Sequence, residues 1–160
     1  MTAAPPDVRL SLPARPEAVG VVRQALSGVA DALDFEEAIL ADMKMAVTEA
    51  CTNVVVHAYE EDDGMLEVEM GAAEDGLTII VRDHGAGIQP RPTRNSPPAL
   101  GLGLPLIAAL SDAFELRGSV GAGTEVRMTF AYVRDRDPAE SNPVTGGVGV
   151  DGKWDPTAET

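Results

Sequence analysis

A pair of strand-like segments in the middle of the chain places the strongest limit on its fold. Residues 64–72 (GMLEVEMGA) alternate apolar and polar side chains, and residues 76–83 (GLTIIVRD) are rich in β-branched side chains. The residues AEDG between them are typical of a turn. Two such segments joined by a short turn form an antiparallel hairpin. The chain is therefore predicted to contain an antiparallel sheet.

Three further strands are predicted on either side of this hairpin. Residues 7–14 (DVRLSLPA) place three aliphatic side chains on one side and polar side chains on the other, which is the period of a half-buried strand. Residues 114–119 (FELRGS) and 124–132 (TEVRMTFAY) follow as strands around a glycine-containing turn.

Two long segments have the spacing of helices. After Pro16, residues 17–33 carry aliphatic side chains at steps of three and four, which indicates an amphipathic helix. Proline is well tolerated in the first turn. A second helix is predicted from Asp34 or the next residue to about Tyr59, with Asp34 as its N-cap and Glu37 three residues later.

The rest of the chain contains a proline-rich loop, a short helix and a polar tail. Four prolines within residues 88–100 favour a loop or lid, and residues 102–114 (LGLPLIAALSDAF) favour a short helix. Residues 133–160 have no apolar period, which predicts a disordered acidic tail. Trp154 in this tail either anchors a partner or, as its surroundings favour, is inert. The folded domain is predicted to span residues 7–132.

Length and helix content complete the prediction of fold class. A chain of 160 residues is long enough for one domain with a sizeable core. We expect an α+β fold, an α/β sandwich in which helices cover one face of a mostly antiparallel sheet.

Charge and cysteine content limit the partners and the compartment. The net charge is −14, from 26 acidic and 12 basic residues, so a nucleic acid or an anionic membrane would be repelled over most of the surface. A phosphate group can still be held by backbone N–H groups. The single cysteine, Cys51, cannot form an internal disulfide, and the sequence has neither a secretory pattern nor an apolar run of about 20 residues. A cytoplasmic protein is expected.

The second helix carries three polar residues at intervals of four, Glu49, Asn53 and His57. Regular α-helical spacing would place them on one face. Glu49 or His57 alone is typical of a solvated face, but a mid-helix asparagine among aliphatic residues is costly unless its amide is bonded. An amide oxygen suits Mg²⁺, and a carboxylate one turn earlier can deprotonate a hydroxyl group.

Two glycine motifs follow. Asp83 ends an apolar strand and is followed by Gly85 and Gly87, which permit close approach of a planar ligand to the backbone. Gly101 and Gly103 precede a helix, where free N–H groups can bind the phosphates of a nucleotide. Each motif alone is also typical of an ordinary turn or helix cap.

A third glycine motif, GAGT at residues 121–124, leads into a strand and by itself is typical of a hairpin turn. In order and spacing, EACTNVVVHAY, DHGAG, GLGL and GAGT together resemble the ATP site of the GHKL (HATPase) superfamily, which includes gyrase, Hsp90, histidine kinases and MutL. Within it the chain looks most like the bacterial anti-sigma factor serine/threonine kinases. The resemblance covers residues 7–132 and implies a Bergerat-type ATP-binding fold.

The resemblance implies roles at the phosphate end of ATP. Asn53 would be the Mg²⁺ ligand, and Glu49 would be the catalytic base that activates the serine hydroxyl of a protein substrate. Gly101 and Gly103 would lie by the phosphates. His57 either closes the helix through hydrogen bonds or takes part in the site, and it is not assigned to catalysis.

The resemblance also implies roles at the adenine end. Asp83 would accept a hydrogen bond from the adenine amino group. Gly85 and Gly87 would let the base pack against the backbone, and Thr124 would lie near the adenine.

One departure from the family pattern concerns a basic residue. Some relatives carry an arginine just before the second glycine motif, where this chain has Ala99 and Leu100. Arg91 or Arg94 in the lid could take its place. Without such a group ATP would bind while phosphoryl transfer would be slow, because transfer depends on neutralising the developing charge.

The resemblance implies a Mg²⁺-ATP-dependent serine kinase that sequesters a sigma factor and phosphorylates an anti-sigma-factor antagonist. Relatives commonly form dimers, so a homodimer is compatible with it. Two alternatives stay open at this point: a non-catalytic, nucleotide-dependent binding module, and a stand-alone histidine-kinase-like ATPase domain, whose product would be acid-labile phosphohistidine.

Overall fold

Five strands form one antiparallel sheet, which contains the predicted hairpin. The computed structural model describes residues 7–59, 63–87 and 103–133, and in addition the backbone of residues 147–148 and 154–155. The five strands are β1 (Val8–Pro13), β2 (Met65–Ala72), β3 (Gly76–Asp83), β4 (Ala113–Gly118) and β5 (Thr124–Ala131). They lie in the order β1-β2-β3-β5-β4, and every neighbouring pair is antiparallel. β3 lies at the centre of the sheet, and its last residue, Asp83, pairs with Thr124 of β5.

Helices cover one face of this sheet. They are α1 (Pro16–Ala32), α2 (Glu37–Asn53), a π-helical turn (Val54–Ala58) that continues α2 directly, and α3 (Gly103–Leu110). None of the helices in the described ranges has the length and apolar character that a membrane crossing requires. The predicted α+β fold, with helices on one face of an antiparallel sheet, is confirmed.

The core lies between the helices and the sheet. Alternate residues of the three central strands point toward the helices and are fully or nearly fully buried, and they form one cluster with the buried stripes of the helices. Burial of each large side chain contributes about 1.5–3 kcal/mol. The largest fully buried side chains are Phe130, Leu26, Met43, Leu66, Met70, Leu77, Ile79, Ile107 and Met128.

The opposite face of the sheet is polar and carries a row of ion pairs. Arg82 in the middle of the sheet contacts Glu69 at 3.0 Å and Glu125 at 2.6 Å, and Glu69 also contacts Arg9 at 2.8 Å. Burial alone would lower the pKa of Arg82, but hydrogen bonds to Glu125 and Glu69 outweigh it and raise the pKa above its ordinary value. This face has its charges paired within the sheet, so the candidate site belongs to the helix side.

Asp34 ends α1 instead of beginning α2, so the predicted N-cap is wrong. Its φ is +55°, the Asp34 N–H donates to the carbonyl of Asp31 at 3.2 Å, and the Phe35 N–H donates to the carbonyl of Ala30 at 3.0 Å. These two bonds and the left-handed residue form a Schellman motif, which closes the C-terminus of a helix. The residue before α2 is Glu36, which makes no side-chain capping bond.

The third helix is shorter than the sequence predicted, because Asp112 belongs to the sheet edge. The Asp112 N–H donates to the carbonyl of Thr129 at 2.9 Å, and its carboxylate accepts the Ala131 N–H at 2.9 Å. Further along, Gly147–Val148 (β6) and Trp154–Asp155 (β7) pair as two-residue strands. The prediction of disorder for 133–160 did not include this pairing.

Candidate active site

Two polar side chains of α2 meet the first residue of α3. Glu49 and Asn53 lie one turn apart on α2, and both are half-buried. A Cβ atom at Gly103 would lie 3.2 Å from Glu49 Oε2 and 3.3 Å from Asn53 Nδ2, so any side chain there would press on both polar groups. The first N–H groups of a helix have no partner within the helix and carry partial positive charge. The structure thus brings a carboxylate, an amide and a helix N-terminus together.

His57 does not continue the stripe of Glu49 and Asn53. Residues 54–58 form a π-helical turn, in which each turn holds more residues than in an α-helix. The α-helical spacing that predicts one shared face therefore holds for Glu49 and Asn53 and fails for His57. His57 is exposed to solvent.

Asp83 is the only buried charged residue among those that the structure describes, with 6 % of its surface exposed. Its carboxylate accepts the Gly85 N–H at 2.9 Å, and it is also hydrogen-bonded by the backbone and the hydroxyl group of Thr124, its cross-strand partner. Burial raises the pKa of Asp83, and the hydrogen bonds from Gly85 and Thr124 oppose part of that rise. A carboxylate held in this way keeps acceptor positions for an amino group of a ligand.

The glycines near Asp83 lie where backbone segments pass very close to one another. A Cβ atom at Gly85 would collide with the carbonyl oxygen of Ala58, and one at Gly87 with the carbonyl oxygen of Ser119. A Cβ atom at Gly123 would collide with the carbonyl oxygen of Asp83 itself. Gly87 and Gly123 also have positive φ, of 72° and 77°. Glycine is therefore required at these positions by the packing of the chain against itself.

Backbone hydrogen bonds join the separate motifs. The Ala86 N–H donates to the carbonyl of Ala58 at 3.1 Å, and the Gly121 N–H donates to the carbonyl of Ala86 at 2.9 Å. We call α2 and the π-helical turn that continues it the α2 segment. Residue 86 therefore holds together the end of the α2 segment, the turn after β3 and the turn before β5. This places Asp83 and Thr124 in fixed relation to the helix that carries Glu49 and Asn53.

A shallow cavity of about 380 Å³ opens at this edge of the sheet. Asp83 and Thr124 line it together with Arg82 and Arg117. It is widely open to solvent, so it is a surface depression and not an enclosed ligand site. Arg82 and Arg117 belong to the ion-paired face of the sheet, and neither Glu49 nor Asn53 lines this cavity, so it opens at the sheet edge on that face and not in front of α2.

Part of the predicted site lies outside the described residues. Gly101 belongs to this part, and so does the proline-rich segment 88–100 with Arg91 and Arg94. Their predicted roles stay predictions.

Asn53 and Glu49 supply too few oxygen atoms to bind a metal ion alone, so the remaining ligands of such an ion would come from a bound nucleotide and water. Among the residues that the structure describes, no group of three or more His, Cys, Asp or Glu side chains could hold an ion. Mg²⁺ commonly takes one or two protein oxygens and completes its shell with water and phosphate oxygens. The amide of Asn53 next to the carboxylate of Glu49 fits that mode of binding.

Sequence reasoning missed Tyr59. Its hydroxyl group donates to the carbonyl of Met65 at 2.7 Å and accepts the N–H of His84 at 2.9 Å. The contact with His84 spans 25 residues of sequence, so no local pattern could reveal it. The only signal was that Tyr59 is the last residue of EACTNVVVHAY and lies at the predicted end of the second helix, with no role assigned to it.

The chain matches the family of histidine kinase-like ATPase domains over residues 12–130. This range contains every predicted site residue from Glu49 to Thr124. The family match and the fold therefore define a histidine kinase-like ATPase domain.

Two curated relatives place the chain within this class. The serine-protein kinase RsbW of Bacillus licheniformis is 38% identical over 142 residues, which is 81% of this chain and 88% of that protein. The serine-protein kinase RsbW of Bacillus mycoides (strain KBAB4) is 34% identical over 150 residues, which is 86% of this chain and 92% of that protein. The chain belongs to this family, the bacterial anti-sigma factor serine/threonine kinases. Its enzyme class is protein serine/threonine kinase, with ATP as the phosphoryl donor.

Solved structures agree on the fold. The crystal structure of the RsbU and RsbW domains of a Mycobacterium tuberculosis protein matches with a TM-score of 0.63 at 24% identity, over 80% of this chain and 32% of that chain. The histidine kinase domain of a blue-light activated kinase from Erythrobacter litoralis matches with a TM-score of 0.51 at 17% identity, over 82% of this chain and 66% of that chain. The chain spans about a third of the first of these two structures.

Proposed function

We propose that this kinase uses Mg²⁺-ATP to phosphorylate a serine of an anti-sigma-factor antagonist, and that it sequesters a sigma factor in the cytoplasm. The observation that carries the proposal is the meeting of Glu49 and Asn53 with Gly103 at the head of α3. A base, a metal-binding amide and a helix N-terminus can each assist phosphoryl transfer to a hydroxyl group when they lie in one place.

Glu49 is the catalytic base in this proposal. It accepts the proton of the substrate serine as the hydroxyl oxygen attacks the terminal phosphorus of ATP; the bond from that phosphorus to the bridging oxygen breaks, and ADP leaves. Its position one turn before Asn53 holds the carboxylate beside the phosphate end of the nucleotide. The start of α3 lies close to its Oε2, since a Cβ atom at Gly103 would be only 3.2 Å away.

Asn53 and the N-terminus of α3 hold the phosphates. Mg²⁺, bound by the amide oxygen of Asn53, would neutralise charge that develops on the phosphate oxygens. The first N–H groups of α3, from Gly103 onward, add donors that need no side chain. An acidic chain can thus bind a polyphosphate without a basic patch.

Asp83 selects adenine at the other end of the site. Its carboxylate already accepts hydrogen bonds from Gly85 and Thr124, which fix the direction of the remaining acceptor positions. The adenine amino group is a donor of the right kind for such a position. A base with a carbonyl oxygen in place of the amino group would bring two acceptors together and would bind more weakly.

The net charge of the chain supports release of the product. Phosphorylation adds roughly two negative charges to the antagonist. The kinase itself carries a net charge of −14. Repulsion between the two would weaken their contact after each transfer, so the unphosphorylated antagonist is the form that the kinase holds.

Glu49→Gln tests the proposal, with Glu37→Gln as the matched control. Both residues are glutamates of α2, but Glu37 is exposed in its first turn. With γ-labelled ATP, Mg²⁺ and candidate antagonists, E49Q should lower the rate of labelling by at least about 100-fold, since a positioned base contributes about 10²–10⁴-fold. ATP affinity should stay close to that of the unsubstituted protein. E37Q should label normally.

The chemical stability of the label separates the alternatives. Acid-stable label on the antagonist supports a serine kinase, whereas acid-labile label would identify a histidine kinase. Full labelling by E49Q would show that Glu49 is not the base. Saturable ATP binding with no label on any candidate would leave a nucleotide-dependent binding module.

A further inference from the structure

Tyr59 connects three segments whose relative positions determine the geometry of the site. It follows the π-helical turn, and its ring lies over Gly64, where a Cβ atom would collide with ring carbons. Its hydroxyl group donates to the carbonyl of Met65 at 2.7 Å and accepts the N–H of His84 at 2.9 Å. One side chain thus joins the end of the α2 segment to the start of β2 and to the turn that follows β3.

Three consecutive N–H groups in the turn after β3 each donate a hydrogen bond. The His84 N–H is bound by Tyr59, the Gly85 N–H by the carboxylate of Asp83, and the Ala86 N–H by the carbonyl of Ala58. Two of these three acceptors come from consecutive residues at the end of the α2 segment. The direction of the Asp83 carboxylate is therefore set from the same segment that carries the phosphate-end residues.

Tyrosine suits this position because its hydroxyl group donates and accepts at once. The donor side is used by Met65 and the acceptor side by His84. Phenylalanine would keep the ring over Gly64 and lose both bonds. The N–H of His84 would then bind water, and the turn would gain freedom that a bound nucleotide has to remove.

We propose that Tyr59 is a positioning residue for nucleotide binding: its hydroxyl group holds the His84 peptide so that Asp83 meets the adenine of ATP in a preset direction. This inference rests on the proposed function, because the proposed function assigns adenine recognition to Asp83. It predicts an effect on the binding of ATP and not on the transfer step, since Tyr59 contacts neither Glu49 nor Asn53 in any hydrogen bond of the described structure.

The test is Tyr59→Phe, with Tyr132→Phe as the matched control. Tyr132 is the other tyrosine of the chain, and it follows β5 at the end of the sheet opposite Asp83, where its ring packs against Phe35 at 4.8 Å. Loss of the hydrogen bonds of one hydroxyl group should raise the KM and the Kd for ATP by about threefold to tenfold. The kcat should stay within about twofold of that of the unsubstituted kinase, a rate ratio worth less than about 0.5 kcal/mol. Y132F should change none of these values.

Amide hydrogen exchange gives a second readout in the nucleotide-free protein. The His84 amide should exchange faster in Y59F than in the unsubstituted protein, while amides of the central strand β3 keep their protection. Added ATP should slow exchange at His84 in both proteins.

Each outcome has a definite meaning. A raised KM with unchanged kcat and faster exchange at His84 supports the inference. Equal ATP affinity in Y59F and in an unsubstituted kinase that does bind ATP overturns the inference alone. An unsubstituted protein that binds no ATP overturns the proposed function and this inference with it. A fall in kcat with unchanged KM would show that Tyr59 affects phosphoryl transfer and not adenine binding, and it would also overturn the inference.

Discussion

Gly121 and Gly123 offer a matched pair of substitutions in the turn between β4 and β5. Both have left-handed backbone, with φ of 79° and 77°. A Cβ atom at Gly121 would meet nothing within 4 Å, whereas one at Gly123 would collide with the carbonyl oxygen of Asp83 and lie 2.9 Å from His84 Cα. Alanine therefore carries the same backbone penalty at both positions, and only alanine at position 123 adds a collision beside the buried carboxylate.

The expected losses follow from these two contributions. Left-handed backbone costs a residue other than glycine about 1–2 kcal/mol. A methyl group forced into filled space adds about 1–3 kcal/mol. The free energy of unfolding should fall by about 1–2 kcal/mol in Gly121→Ala and by about 2–5 kcal/mol in Gly123→Ala. Since 1 kcal/mol corresponds to about 2–8 °C in domains of this size range, the second variant should melt clearly lower than the first.

Thermal unfolding followed by circular dichroism, together with calorimetric titration of ATP, measures both effects. Gly123→Ala should also bind ATP more weakly, because the added methyl group displaces the backbone of Asp83. Gly121→Ala should bind ATP normally, because the N–H at residue 121 is kept and still bonds to Ala86. Equal melting temperatures for the two variants, or normal ATP binding by Gly123→Ala, would refute this account of the turn.

Two further predictions concern the charge at Asp83 and the core. Burial raises the pKa of Asp83 in the folded protein above its ordinary value near 3.8. At a pH between the ordinary pKa and the raised pKa, the folded protein keeps a proton that the unfolded chain releases. The free energy of unfolding therefore falls as pH rises through that window. Asp83→Asn should abolish this part of the pH dependence in urea unfolding measured from pH 3.5 upward, and a pH profile identical to that of the unsubstituted protein would contradict it. Phe130→Ala should lower the free energy of unfolding by about 3–5 kcal/mol, because Phe130 is fully buried. Val133→Ala, at an exposed position, should change it by less than about 0.5 kcal/mol, and similar losses in the two variants would contradict the packing of β5.

The strands could be predicted from the sequence to within one or two residues. Residues 64–72 and 76–83 were predicted, and β2 and β3 are Met65–Ala72 and Gly76–Asp83. The reason is that alternation of side chains and turn-forming residues are local properties of the chain. The order of the strands depends on which edges pair, and alternation within single segments says nothing about that.

The helix ends were harder to predict because one residue type serves two purposes. Asp34 has the side chain of an N-cap and stands three residues before a glutamate, so the local pattern predicts a helix start. In the structure the same residue takes a left-handed conformation that closes α1. Asparagine and aspartate tolerate that conformation better than most residues, so the two interpretations compete at such a position.

The helical face was predicted correctly only as far as the helix stays regular. Glu49 and Asn53 share a face because α2 is α-helical up to Asn53. The next five residues widen into a π-helical turn, which takes His57 off that face and turns the carbonyl of Ala58 toward Ala86. Three successive valines precede His57 in the sequence, and nothing in them distinguishes an α-helical from a π-helical turn.

At two of the predicted glycines the structure shows a reason for glycine that the sequence did not indicate, while the predicted approach of a ligand stays a prediction. The sequence indicated that Gly85 and Gly87 admit a ligand close to the backbone, but the space of their missing side chains is taken by the carbonyl groups of Ala58 and Ser119. Alanine at either position would therefore disturb the fold whether or not a nucleotide binds there. Loss of ATP binding in such a variant carries no information about ligand contact. A substitution at the carboxylate itself, such as Asp83→Asn, can separate packing from recognition, because it changes a single polar group and leaves these close approaches in place.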